Sequence, residues 1–217
     1  MCGRFTRHLT WSEIVRLYRI TATPNTPPSW NVAPTDEVPI VRAGANGAQE
    51  LANVRWGLVP TWAKDTKGAA RCINARAETV ADKPAFRAAF KARRCLIPAD
   101  GFYEWTTEDG AKQPHHICRR DGGPFSFAGL WERNDRLQIE TCAIVTTTPN
   151  TTVAPIHDRM PVLLAPEDYN AWLDTTAPQE QSLALLKPCP EDWLRVYRVS
   201  RAVNSVKNNG PECIAAG

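Results

Sequence analysis

From Cys95 to Leu164 the chain presents one apolar, β-branched or aromatic run after another, with turn-forming residues between them. The runs are Cys95–Ile97, Phe102–Trp105, His115–Arg119, Phe125–Trp131, Ile139–Thr146 and Pro161–Leu164. Many strands at short spacing, with few helices among them, point to a curved or barrel-like sheet rather than to parallel βαβ layers. Two further runs, Val38–Ala43 and Glu50–Leu58, flank the turn residues Gly44-Ala45-Asn46-Gly47, the pattern of a strand pair. Helical signals are short. Thr10-Trp11-Ser12-Glu13 is a capping box opening a helix through about Tyr18. Asp82-Lys83-Pro84 starts another, which carries Phe86 and Phe90 on one face to about Arg93. Helices are also predicted over Glu167–Leu173 and Gln179–Leu186, and a last strand over Leu194–Val199. Residues 21–36 and Pro60–Ala70 read as loops. The expected class is α+β: a single domain over residues 1–217, with a curved, mainly antiparallel, barrel-like sheet flanked by short helices.

Composition narrows the setting. At 217 residues the chain can bury a substantial core, and 43% hydrophobic with 23% charged residues is ordinary for a soluble globular protein. No apolar run approaches the about twenty residues that a membrane-spanning helix needs, and the N-terminal stretch lacks the apolar segment of a secretory signal. An intracellular, cytoplasmic location is expected. The chain has 7 cysteines, an odd number, and none form a C-x-x-C pair. Several lie in strand-like segments, such as Arg94-Cys95-Leu96-Ile97 and Thr141-Cys142-Ala143-Ile144, where they read as buried small hydrophobes of a reducing compartment. His115 three before Cys118 is too little for a metal site, so no metal and no cofactor is expected, and a monomer is the default. Net charge is +3, and arginines gather locally as Arg71 and Arg76, Arg93 and Arg94, Arg119 and Arg120, Arg198 and Arg201. Arginine forks suit phosphate, though a solvated surface explains them equally well. Dinucleotide, P-loop and G-x-S-x-G nucleophile signatures are missing from the sequence.

Met1 is followed directly by Cys2 and Gly3. Trimming of Met1 would leave Cys2 with a free α-amine and a thiol on adjacent carbons. No internal residue offers that pair. With an amine near ~7.7–8.0 and a thiol near ~8.5, each has an appreciable nucleophilic fraction at cellular pH. Such a 1,2-aminothiol is suited to capturing an aldehyde, first as an imine and then as a five-membered thiazolidine.

Polar and special residues recur in segments that do not look like packing: Cys2-Gly3-Arg4-Phe5, Asn31-Val32-Ala33-Pro34, Trp56-Gly57-Leu58-Val59-Pro60-Thr61-Trp62, Ile73-Asn74-Ala75-Arg76-Ala77-Glu78-Thr79, Pro98-Ala99-Asp100-Gly101-Phe102-Tyr103-Glu104-Trp105, Ile156-His157-Asp158-Arg159-Met160-Pro161, and Ser200-Arg201-Ala202-Val203 ahead of Lys207-Asn208-Asn209-Gly210. In this order, from Cys2 to Gly210, they resemble the SOS response-associated peptidase family, whose members process abasic sites in DNA. The resemblance implies that Cys2 attacks the ring-opened aldehyde of an abasic deoxyribose in single-stranded DNA and ends as a thiazolidine that shields the lesion. AP-lyase activity and crosslink reversal are further implied possibilities, as is autocatalytic removal of Met1. By the same resemblance Glu104 is the catalytic carboxylate, and His157 a proton-transfer group. Asn74 and Arg76 hold the phosphates and orient the sugar, with Arg4 and Arg159 beside them. Thr146 lies at the spacing of an active-site hydroxyl, with Thr147 and Thr148 as rivals. Pro34 and Trp62 form a wedge for base stacking, where some relatives carry a second Trp and this chain has Ala63. Trp56 reads as core, and His8, His115 and His116 as surface or packing residues.

Two other functions stay open at this point. An N-terminal thiol with a Glu and a His can support a thiol autopeptidase. The arginines and tryptophans alone can make a non-catalytic single-strand binding module.

Overall fold

The computed structural model describes residues 2–8, 10–18, 20, 26–44 and 48–217. In chain order its strands are β1 (Phe5–Arg7), β2 (Ser29–Val32), β3 (Glu37–Ala43), β4 (Gln49–Trp56), β5 (Asn74–Arg76), β6 (Arg94–Ala99), β7 (Gly101–Glu108), β8 (Ala111–Arg119), β9 (Phe125–Asn134), β10 (Ile139–Thr147), β11 (Met160–Pro161), β12 (Leu163–Leu164) and β13 (Leu194–Arg198). The α-helices are α1 (Trp11–Tyr18), α2 (Arg87–Ala92), α3 (Tyr169–Leu173) and α4 (Gln179–Ala184).

The strands β10, β4, β3, β6 and β9 close into a barrel. β10 runs parallel to β4, the next three pairings are antiparallel, and β9 returns to β10 over six opposed pairs from Asn134↔Ile139 to Gly129↔Ile144. Closure removes exposed edges. A second, wholly antiparallel sheet runs β13-β8-β7-β1-β2. The expected α+β class with a barrel-like, mainly antiparallel sheet is what the chain adopts.

Two large apolar clusters fill the structure, with a smaller third around Tyr103, Val199, Val203 and Cys213. One lies between the sheets, where Phe5 meets Trp56 and Phe127 edge-on at 5.2 and 5.5 Å between ring centres. The other lies under the helices, around Phe90, Trp172, Tyr18 and Tyr169. Trp56 is fully buried, as its sequence setting indicates, with its indole N–H donating to Ile73 O at 3.0 Å. Cys95 and Cys142 are likewise fully buried. Of the paired arginines, Arg94 is not on the surface: its guanidinium donates to Phe90 O and Trp172 O at 2.8 and 2.6 Å, and to Asp174 O. It thereby satisfies carbonyls at the ends of α2 and α3. Gly101 shows why the turn between β6 and β7 tolerates no side chain. A Cβ there would sit 2.1 Å from Nε2 of His116.

The capping box forms as read, with Thr10 N–H donating to Glu13 Oε2 at 2.7 Å and Glu13 N–H to Thr10 Oγ1 at 3.4 Å. Other boundaries shift. The predicted loop over residues 21–36 contains β2, while residues 21–25 lie outside the described residues. The turn Gly44–Gly47 also falls partly outside them, at residues 45–47. The helix expected from Asp82 begins only at Arg87, because residues 82–86 fold back as turns onto Thr79 O and Lys83 O. Helix Glu167–Leu173 opens with a 3-10 turn. The single strand Pro161–Leu164 is two: β11 pairs with β10, Val162 turns the chain over, and β12 pairs with β9.

Candidate active site

The segment ahead of β1 runs on along β7. Phe5 lies opposite Phe102, and Tyr103 N–H donates to Arg4 O at 3.0 Å, which brings Cys2 alongside Glu104. Cys2 is fully buried in the cluster that holds Phe5 and Trp56. Asn74, at the start of β5, donates from Nδ2 to the Cys2 carbonyl at 2.9 Å and so fixes the terminal backbone. Burial, with the Glu104 charge adding to it, pushes the Cys2 thiol well above its ordinary range. This corrects the expectation of an appreciable thiolate fraction at neutral pH. The site holds a neutral thiol, and any addition by sulfur needs a base.

Glu104, beside it, has a clear origin in β7. Alternation puts Phe102 and Glu104 on one face and Tyr103 and Trp105 on the other. Tyr103 and Trp105 pack with Val199, Val203 and Cys213, whereas Phe102 belongs to the inter-sheet cluster. Glu104 therefore sits where an apolar stripe ends. Burial, assisted by Asp158, pushes its carboxyl up to about 7. His157 comes from the turn after β10, with its backbone N–H bonded to Val153 O. Its Nε2 lies 3.8 Å from Glu104 Oε2. Its Nδ1 accepts the Arg159 N–H at 3.0 Å, which assigns the proton of the neutral ring to Nε2, facing Glu104. On protonation, Nδ1 has the exposed Asp158 carboxylate at 2.9 Å. Burial holds the His157 pKa below its ordinary value.

Glu104 and His157 open into a cleft of about 670 Å³ that they line with Arg4, Trp105, Lys112 and Asn204. Arg4 is held there by Asn31 Oδ1 at 2.7 Å and Val203 O at 2.9 Å. Asn31, which sequence reasoning placed in a suggestive segment without assigning it a role, is the organiser of this wall. Its Nδ2 lies within 2.8–3.2 Å of Val203 O, Ser205 O and Asn208 O. Replacing Asn31 by Ala would remove one of the two acceptors of Arg4 and take the Asn31 donor from Ser205 O and Asn208 O, in a site that is 3% exposed. We expect a loss of about 2–3 kcal/mol in stability, a fall of about 5–10 °C in Tm, read by thermal unfolding.

The remaining sequence-predicted residues surround this centre unequally. Arg159 forks onto Glu78 at 2.6 and 3.0 Å and also donates to Thr146 O at 2.7 Å. That clamp ties the turn carrying His157 to the segment after β5. Thr146 is buried with its hydroxyl 3.4 Å from Arg159, whereas Thr147 turns to Leu186 O and Thr148 is exposed. Arg76 is exposed at the end of β5. Pro34 is half-buried in a turn closed by Ala33 N–H donating to Asp36 Oδ2 at 2.9 Å. Trp62 is 67% exposed and lines a separate cavity of about 330 Å³ with Pro60, Lys64, Arg71 and Cys72. That cavity shares no lining residue with the Glu104–His157 cleft. Of the other histidines, His116 is buried between Thr6 and Tyr197, and His8 pairs with Asp100. Among the described residues no cluster of His, Cys, Asp or Glu could hold a metal, and no helix is long and apolar enough to cross a membrane.

Known proteins share this architecture. YoqW of Bacillus subtilis, named an abasic site processing protein, is 42% identical over 223 residues and 99% of each chain. YedK of Escherichia coli, named likewise, is 32% identical over 226 residues, again 99% of each. A crystal structure from Bordetella bronchiseptica superposes with a TM-score of 0.78 at 26% identity, over 92% of this chain and 100% of that one. One from Bacteroides thetaiotaomicron reaches 0.88 at 24% identity over the whole of both chains, which speaks for the fold alone. The family model described as SOS response associated peptidase matches residues 1–206. With that match and these relatives, the chain belongs to the SOS response associated peptidase family.

Proposed function

We propose that this protein processes abasic sites in DNA by capturing the lesion covalently through Cys2, with single-stranded DNA as substrate. The names of its relatives support abasic-site processing. The observation that carries the covalent step is the placement of Cys2, held through its carbonyl by Asn74, beside Glu104, whose carboxyl lies 3.8 Å from His157 Nε2 and lines one open cleft with it.

Once Met1 is removed, the Cys2 amine attacks the C1′ aldehyde of the ring-opened sugar, and loss of water gives an imine. The thiol then adds to the imine carbon. Its proton passes to Glu104, the imine nitrogen takes up a proton, and a thiazolidine results with no net redox change. Because burial keeps the thiol protonated, this closure depends on a base, and a carboxyl near 7 is half ionised where it is needed. His157, presenting Nε2–H toward Glu104, supplies a proton to the leaving hydroxyl. An imine left open permits β-elimination and strand breakage, which is the lyase branch. Ring closure ends that branch. Arg4, Asn74, Arg76, Thr146 and Arg159 orient the sugar and its phosphates. Pro34 and Trp62 stack flanking bases, worth about 1–3 kcal/mol each.

The test is intact mass spectrometry after incubation with abasic single-stranded DNA. We expect a protein beginning at Cys2 and an adduct that Cys2→Ala fails to form stably. Salt-sensitive binding to intact DNA with no adduct at all would leave a binding module in its place. Retention of Met1 in Glu104→Ala, with loss in the parent chain, would show autopeptidase activity at the same site.

A further inference from the structure

The cleft is larger than its chemistry needs. A single deoxyribose ring fills a small part of about 670 Å³, a size at which cavities hold whole drug-sized ligands, roughly 300–1,000 Å³. The chemical end is Glu104 and His157. Trp105, Lys112 and Asn204, three residues from three separate elements, line the same cleft.

These three are latched together. The Trp105 indole N–H donates to Asn204 Oδ1 at 2.7 Å. Asn204 Nδ2 donates to the Lys112 carbonyl at 3.3 Å. One carboxamide, spent in both directions, thus fixes the plane of the indole against the β7–β8 hairpin. Trp105 is half-buried, with one side packed toward Tyr103. Lys112 is exposed, and its ammonium bonds only the neutral Thr107 hydroxyl, at 3.1 Å. Among the described residues no carboxylate neutralises it. A fixed aromatic face beside an uncompensated cation is the chemistry that takes a nucleobase and a phosphate together.

We propose that Trp105, Lys112 and Asn204 form a subsite for the nucleotide adjoining the lesion. The base stacks on Trp105, Lys112 takes the phosphate on that side, and Asn204 acts as the latch. This rests on the covalent-capture reading for the identity of the lesion, but its test is a binding measurement that does not require capture. The stack ignores base identity and requires only that a base be present. Tandem lesions would therefore be handled poorly on one side.

The experiment uses fluorescence anisotropy with the Cys2→Ala protein and single-stranded oligonucleotides carrying one abasic residue. In two further oligonucleotides the 5′ or the 3′ neighbour is also a base-less spacer. Removing the neighbouring base on one side, and not the other, should weaken binding about 5–100-fold. Adding Trp105→Ala should abolish that discrimination, and Asn204→Ala should reduce it. Lys112→Ala, an exposed substitution that leaves the fold untouched, should lower the slope of log affinity against log salt by about 0.7. Equal discrimination in the parent and Trp105→Ala proteins, or an unchanged salt slope in Lys112→Ala, overturns the subsite. Should Trp105→Ala unfold, Trp105→Leu and Lys112→Ala carry the decision. Absence of an adduct in the parent chain would instead count against covalent capture and leave these binding outcomes readable.

Discussion

Cys2→Ser is expected to lose essentially all heat-stable adduct with abasic single-stranded DNA, while an adduct still appears when borohydride is present. The two halves of the prediction separate amine from sulfur. Serine keeps the α-amine, so the imine still forms and can be reduced in place. Its hydroxyl adds to an imine far less favourably than a thiol, and the ring it would form reopens readily. The imine then persists long enough for β-elimination, so strand cleavage should rise as the stable adduct falls. Because Cys2 is fully buried among apolar rings, the new hydroxyl costs about 1–3 kcal/mol of stability, which a melting curve shows separately. A heat-stable adduct from Cys2→Ser equal to that of the parent would rule the thiazolidine out. The buried, high-pKa thiol makes this sharper than the sequence allowed. On the covalent-capture reading, a thiol kept neutral by burial leaves the amine to act first and the sulfur second.

Sequence was informative about this site wherever chemistry depends on residue type, and silent wherever it depends on the third dimension. Glu104 was legible through the segment Ala99–Trp105, but not the cause of its burial, since its sequence neighbours Tyr103 and Trp105 lie on the other face of β7. The capping box at Thr10 was legible too. The strands β1, β2 and β5 were not legible. Each has three or four residues, too few for a period-two pattern, and each exists because partners distant in sequence pair with it. β5, for example, is held by Ile144, Val145 and Thr146 of β10. The Arg159–Glu78 fork and the Asn31 wall link positions 81 and 172 or more residues apart, so no spacing rule could have found them. Asn204 escaped notice for the same reason: its only signal is that its side chain meets Trp105 and the Lys112 backbone across a fold.

Glu104→Gln should make the protein more stable and less active at once, a combination that a merely structural glutamate cannot give. The folded carboxyl titrates near 7 against 4.5 for the free side chain. A raised carboxyl pKa means that the folded state prefers the proton. Stability is therefore full below about pH 4.5, falls as pH rises toward 7, and stays low above it. The side chain is 3% exposed, so solvent screens little of this penalty, which amounts to about 3 kcal/mol. Glutamine keeps the shape without the charge. At pH 8 the variant should melt about 5–10 °C above the parent chain, and the gap should close on going down to pH 4.5. Crosslinking should slow by about 10²–10⁴, the usual worth of a positioned acid–base group, since the neutral thiol then has no carboxylate to take its proton. Parallel stability curves for the two proteins across pH 4.5 to 7 would mean that Glu104 titrates normally, and the base assigned to ring closure would have to be sought at His157 instead.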